Sequence, residues 1–240
     1  MALQIVEIIA PCEQGMAEPV KCLGEDGHVY YVKGMQSGRS SLCKEWMCAC
    51  LARQLNFNIP PFCVVEISRE LLLEAPQELR KLGWGLAFGS QEYKGALWFE
   101  ASQSPHVDVQ TQQDILAFDW WIANGDRTCG NPNLLYDTSL GKLVVIDHNA
   151  ALDEALTFTD FCDHHVFGAQ TDRVFFDLVA KQHYAARFRT ACVGLPQWVA
   201  QMPDAWRWAN YEQDVPSAFV PEVAMQTLIS RTDLSTGNVR

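Results

Sequence analysis

Along QIVEIIA (Gln4–Ala10) apolar and polar residues alternate as on a strand with one covered face. PVKCLG (Pro19–Gly24) and HVYYVKG (His28–Gly34) predict two more strands, with the turn-like PCEQGMAE joining the first two. FCVVEI (Phe62–Ile67) predicts a fourth. Between the third and fourth, LCKEWMCACLARQLN predicts a helix of about four turns. A Ser N-cap signal in GMQSGRSS precedes that helix, and NIPP stops it. Residues 84–100, WGLAFGSQEYKGALWFE, read as irregular or weakly stranded, and ASQSPH reads as a connector.

The second half has another texture. DVQTQQDILAFDWWIAN sets Ile115, Phe118 or Asp119, and Ile122 at helical spacing, which predicts a helix from Val109 to Ala123. NLLYD and KLVVID predict a short hairpin around TSLG. Beyond Leu152 the pattern is mainly helical, with helices expected near residues 173–183, 197–201, 204–213 and 221–231. The expected fold class is α+β in two lobes. Residues 1–100 would form a β-rich N-lobe, an antiparallel sheet plus one helix; residues 101–240 would form a mainly helical C-lobe.

Composition narrows the class. With 48% hydrophobic and 20% charged residues the chain suits a globular core, and eight tryptophans and twelve phenylalanines can fill it. It holds no apolar run of the length a spanning helix needs, and MALQIVEIIAPCEQG lacks the basic start of a secretory signal. The nine cysteines stand in no CxxC pair, so neither a disulfide framework nor a zinc site is expected, and a cytoplasmic location is. A net charge of −11 without a basic tract excludes bulk nucleic-acid binding, because phosphate backbones are held through Lys and Arg.

The candidate chemistry sits at element ends. Lys33 closes a strand on the same face as Val29 and Tyr31, and a buried ammonium there needs an anionic partner. Glu45 lies on a helical stripe with Leu42, Ala49 and Ala52, so it faces inward and can be that partner. In NGDRTCGNPNLLYD, Asp126 and Asn131 stand at D-x-x-x-x-N spacing after a helix, although Asp and Asn also serve as turn residues. KLVVID is a nearly continuous apolar strand that ends abruptly in the carboxylate of Asp147. Together these groups fit phosphoryl transfer from a nucleotide: a cation for the phosphates, hard oxygen ligands for Mg²⁺, and a base for an acceptor hydroxyl. Other features read blandly. CDHH (Cys162–His165) reads as a surface or cleft-edge loop, the aromatics of AFDWWIAN as core, and Asn133 as a residue fixing its own backbone rather than a rival ligand to Asn131.

NGDRTCGNPNLL and LVVIDHNAAL, with YYVKG, KEWMCACLARQLNFNIPP and FGS, resemble the HipA-like kinases, in particular their short single-domain members. The D-R-x-x-x-N and I-D signatures are shared with phosphatidylinositol kinases, and the resemblance covers residues 20–152. It implies a protein-kinase-like bilobal fold, ATP and Mg²⁺, and transfer of the γ-phosphoryl group to a hydroxyl, that of a protein Ser or Thr. By motif it implies Asp126 as catalytic base, Asn131 and Asp147 as metal ligands, and Lys33 as the phosphate-binding lysine with Glu45 beside it. The alternatives are a small-molecule or lipid kinase with the same core, or a nucleotide-binding pseudokinase acting as an interaction module. Thr128 stands where a histidine commonly follows the arginine, and Asp-His-Asn stands where ordinary kinases have Asp-Phe-Gly. The phosphate-covering loop would fall in PCEQGMAEP around Gly15.

Overall fold

The computed structural model describes residues 2–12 and 19–234, so the loop around Gly15 lies outside the described residues. Strands β1 (Leu3–Pro11), β2 (Val20–Gly24) and β3 (Val29–Lys33) form in turn, followed by helix α1 (Arg39–Gln54), strand β4 (Phe62–Ile67), the short helix α2 (Arg69–Glu74) and strand β5 (Gly85–Gln91). The strands close into a five-stranded barrel in the order β1-β2-β3-β5-β4. All its pairings are antiparallel except β1 with β4, where Leu3 faces Val65 and Gln4 faces Glu66 in parallel. The strands of the expected antiparallel sheet thus pair antiparallel, and the parallel β1–β4 pairing closes them into a barrel. Two irregularities in the register of β1, between Ile5 and Glu7 and between Ile8 and Ala10, add the twist that closure requires.

Period-two burial packs the interior. Ile5, Val20, Cys22, Tyr30, Val32, Val65, Ile67 and Ala87 point inward, and Leu72, Ala75, Leu79 and Leu82 pack against them. β5, which the sequence pattern left as irregular, pairs with both β3 and β4. Its glycines hide it from an alternation reading, yet one of them is required. A Cβ at Gly89 would meet Val65 Cγ1 at 2.5 Å. Helix α1 starts at Arg39, after Gly38 at φ 76°, so Ser40 and Ser41 lie inside its first turn rather than capping it.

Strand β6 (Ala96–Trp98), helix α3 (Val109–Trp121) and strands β7 (Leu134–Asp137) and β8 (Lys142–Val145) come next, with the sheet order β6-β7-β8. The β7–β8 hairpin expected around TSLG forms, pairing Asp137 with Lys142 and Leu134 with Val145. Helices α4 (Phe158–His164), α5 (Leu178–Ala191), α6 (Leu195–Ala200) and α7 (Pro221–Ser230) follow. Residues 172–176 form a single wide turn, and Asp177 then caps α5 by accepting from Val179 and Ala180 N–H, so the helix expected over 173–183 starts later and runs further. The helix expected over 204–213 is only a turn at Asp204–Arg207. Asn210 breaks it by bonding Glu212, Asp214 and the N–H of Val215, a local alternative to helical hydrogen bonds.

By its contacts the chain groups into two units, neither a continuous segment. The barrel unit holds residues 1–46, 60–94 and 201–220; the helical unit holds 47–59, 95–200 and 221–240. Within the barrel unit Trp206 is sealed and donates its indole N–H to Leu86 O at 2.9 Å, while Tyr211 stacks on Trp84 at 4.2 Å. Within the helical unit α3 is buried all round from Ile115 to Trp121. Trp121 stacks on Phe188 at 4.3 Å and donates to Leu228 O, and Trp120 packs edge-on to Phe158 and Phe175. Among the described residues no helix is long and apolar enough to cross a membrane.

Candidate active site

In the barrel unit Tyr30 and Val32 line the interior, so Lys33 falls on the outer face with the half-buried Val29 and Tyr31. That face is not the core the sequence suggested. Lys33 is nonetheless 7% exposed, because its Nζ lies 2.5 Å from Oε1 of Glu45 on α1. Leu42, Ala49 and Ala52 are buried beside Glu45, which fits the inward stripe.

In the helical unit the loop after α3 carries Asp126. The side-chain amides of Asn131 and Asn133 both donate to its Oδ2, at 3.0 and 2.9 Å. A carboxylate only accepts, so each amide must present its NH₂ end, and the carbonyl oxygen of Asn131 faces away from Asp126. Oδ1 of Asp126 accepts no hydrogen bond from the described residues. Thr128 steadies the turn: its N–H reaches Asp126 O and Asn131 O, and its hydroxyl accepts from Asn131 N–H. The side chain of Asn133 thus holds Asp126, a task beyond the backbone role expected of it.

Asp147 lies just past β8 with φ 58°, a left-handed conformation that turns the chain sharply at the strand mouth. Its Oδ1 accepts from Asn149 N–H at 3.4 Å. The segment before it is tied to the loop, since Ile146 N–H donates to Asn133 O at 3.2 Å. The segment after it returns to the end of α3 through Leu152 N–H to Ile122 O. Hence Asp126, Asn131 and Asp147 belong to one hydrogen-bonded substructure.

Beneath that substructure is a charge cluster the sequence reading missed. Arg127 is fully buried, with its Nε 2.6 Å from Oδ2 of Asp119 on α3. Its Nη1 donates to the carbonyls of Pro132, Asn133 and Ile146. Asn124 bridges Asp119 Oδ1 to the N–H of Asp126. His165 Nε2 lies 3.1 Å from Asp119 Oδ2, and its Nδ1 accepts from Phe167 N–H. That acceptance fixes the neutral tautomer, so Nε2 carries the proton and donates to Asp119. His165 is therefore not part of a surface loop; it is sealed in the core. Burial would raise Asp119, but the Arg127 charge and the His165 and Arg127 hydrogen bonds outweigh it and hold the carboxyl at about 2. Burial pushes His165 below its ordinary value, with Arg127 adding to it and Asp119 opposing. The available signal was a lone carboxylate in the apolar run AFDWW; its partners, in the loop and at the end of α4, carry no periodic mark.

The donor set suits a hard divalent cation. One carboxylate, Asp147, and one amide carbonyl, Asn131, are too few to cage a metal alone but match an ion that keeps waters and phosphate oxygens as its other ligands. Among the described residues no three His, Cys, Asp or Glu side chains gather around a common metal position.

Comparison with known proteins places this arrangement. No curated protein sequence matches the chain. Among solved structures it is similar to the proinflammatory kinase CtkA of Helicobacter pylori, at 8% identity and TM-score 0.49, over 98% of this chain and 94% of that one. It is also similar to the Golgi casein kinase with Mn and ADP bound, at 12% identity and TM-score 0.52, over 97% of this chain and 70% of that one. The second likeness shows a shared fold. A family model described as HipA-like kinase matches residues 5–234. On that match the chain belongs to the HipA-like kinase family.

Proposed function

We propose that the protein is an ATP- and Mg²⁺-dependent kinase that transfers the γ-phosphoryl group to the hydroxyl of a protein Ser or Thr. The observation that carries the reading is the setting of Asp126: one carboxylate oxygen is tethered twice, and the other is left without a hydrogen bond in the loop that also presents Asn131. A base for an acceptor hydroxyl needs that combination of fixed orientation and one open oxygen. The manganese and ADP held by the Golgi casein kinase support a nucleotide and a divalent cation here. Family membership supports the hydroxyl acceptor.

In this reading Asp126 Oδ1 takes the acceptor proton as the new O–P bond forms and the bond from the γ-phosphorus to its bridging oxygen breaks. Asn131 and Asp147 would hold the metal, which would neutralise charge on the phosphate oxygens. Lys33, oriented by Glu45, supplies a fixed positive charge for the phosphates.

Asp126→Ala and Asp147→Ala are each expected to lower transfer from radiolabelled ATP by about 10²- to 10⁴-fold. Both variants should keep a cooperative thermal transition. Undiminished turnover in either one refutes the assignment. ATP binding without any transfer, across protein, lipid and small-molecule hydroxyl acceptors, would instead make the chain an interaction module.

A further inference from the structure

We propose that Asn133 is a positioning residue, which decides which oxygen of Asp126 faces the acceptor and ties that carboxylate to the segment carrying Asp147. The proposal rests on the phosphotransfer roles given above to Asp126 and Asp147. Asn133 is 4% exposed, and its amide NH₂ meets Asp126 Oδ2 at 2.9 Å. With Asn131 at 3.0 Å the same oxygen receives two donors, which uses its lone pairs and leaves Oδ1 to take the proton.

The main chain of Asn133 does the second task. Its carbonyl accepts from Arg127 Nη1 at 2.5 Å and from Ile146 N–H at 3.2 Å, next to Asp147. One residue thus holds the base by its side chain and the metal-ligand segment by its backbone. Its φ of 48° is left-handed, a conformation asparagine tolerates better than most residues. Asn131 cannot replace it. It is more exposed, and its amide nitrogen is already committed to Asp126, with its oxygen the atom that would serve a metal.

Asn133→Gly keeps the left-handed backbone and deletes the amide; Asn133→Asp keeps the size and shape and replaces the donor by an acceptor. Both are expected to lower kcat about tenfold to a hundredfold, since a small misplacement of a reacting group has that effect. The KM for ATP should stay within about twofold, the split that separates loss of positioning from loss of nucleotide binding. A merely structural role would instead move melting temperature and KM together. A second measurement needs no turnover. In nitrogen NMR of the full chain, Asp126→Ala should shift the side-chain amide signals of both Asn131 and Asn133. Unmoved Asn133 signals overturn the tether. A wild-type kcat in Asn133→Gly, beside an inactive Asp126→Ala, also overturns it while sparing the kinase reading. Transfer that survives Asp126→Ala overturns both.

Discussion

In the barrel unit Lys33 and Glu45 meet at 2.5 Å with side chains 9% and 3% exposed. In the helical unit Asp119 and Arg127 are 0% exposed and His165 is 1% exposed, and the guanidinium reaches three backbone carbonyls besides its carboxylate. The two regions bury charge for different ends. The first arrangement joins the end of a strand to one turn of a helix, and its lysine side chain keeps 9% exposure. The second is closed on all sides by groups of the chain itself. Its charge holds the loop that carries Asp126 to shape and is not available to a ligand. A charge that keeps residual exposure can still meet a ligand, whereas one sealed on all sides can only organise the fold.

The largest effect should come from opening the closed cluster. Arg127→Met removes the only cation hydrogen-bonded to Asp119 among the described residues and leaves that carboxylate buried and uncompensated. A loss of about 3–5 kcal/mol of stability is expected, the range for removing one partner of a buried pair. Chemical denaturation with the chain at fixed concentration reads it. A loss below about 1 kcal/mol, the size of a surface pair, would contradict the sealed scaffold.

The second test acts on the pair. Lys33→Met should lower kcat by about a hundredfold or more, as loss of one preorganised electrostatic contact does. Its stability cost should be smaller than that of Arg127→Met. Adding Glu45→Leu should recover part of that stability, because the buried carboxylate of the broken ion pair is then removed as well, and should leave turnover low. If Lys33→Met instead lost stability as Arg127→Met does while transfer persisted, the contrast between the two regions would collapse.

This contrast also separates what the sequence disclosed from what it did not. The Lys33–Glu45 pair was legible in part: the stripe along α1 pointed Glu45 inward, whereas alternation along β3 assigned Lys33 to a core face and the structure puts it on the outer face, buried against Glu45. The β7–β8 hairpin and the position of Asp147 were legible because a continuous apolar strand that ends in a carboxylate is a rare local pattern. β5 was hidden because Gly85 and Gly89 break alternation, although Gly89 is what lets the strand lie against Val65. The Asp119–Arg127–His165 cluster was hidden for another reason. Its members come from a helix, a loop and the residue after another helix, and only tertiary packing brings them together. Asn133 reads from sequence as fixing its own backbone rather than as a rival to Asn131, because nothing in D-x-x-x-x-N spacing says that a second asparagine also turns its amide to the aspartate.

Acid should weaken the helical unit through its closed cluster. His165 is held below its ordinary value of 6.5 in the fold, so the unfolded chain binds the extra proton first and stability falls as pH drops below about 6.5. Asp119, lowered from 3.8 to about 2, adds a further loss between those values. The stability is complete above 6.5 and should decline monotonically below it, read as urea midpoints from pH 7.5 to 5. His165→Gln keeps a donor for Asp119 and should flatten the upper part of that decline; an unchanged slope would remove His165 as its source.

The smallest effects come from helix caps, whose physics is the same in both units. Ser68 Oγ accepts from Leu71 N–H at 3.1 Å at the start of α2 in the barrel unit. Asp108 Oδ1 accepts from Thr111 N–H at 3.0 Å at the start of α3 in the helical unit. Each alanine replacement leaves one orphan N–H and should lower stability by about 1 kcal/mol. Neither should change kcat. For Asp108 that is a sharp expectation, because the other end of α3 leads into the loop that carries Asp126. That end is held independently: Arg231 donates from Nη2 to Trp120 O at 2.6 Å and from Nε to Trp121 O at 2.9 Å. Cation and helix dipole attract there, so fraying of the first turn should stop short of Asp126. A fall in kcat in Asp108→Ala out of proportion to its melting temperature would mean that α3 transmits its first turn to the loop. Asp119 would then be held by the helix as much as by Arg127, and the closed cluster would no longer be the scaffold that distinguishes this unit from the barrel.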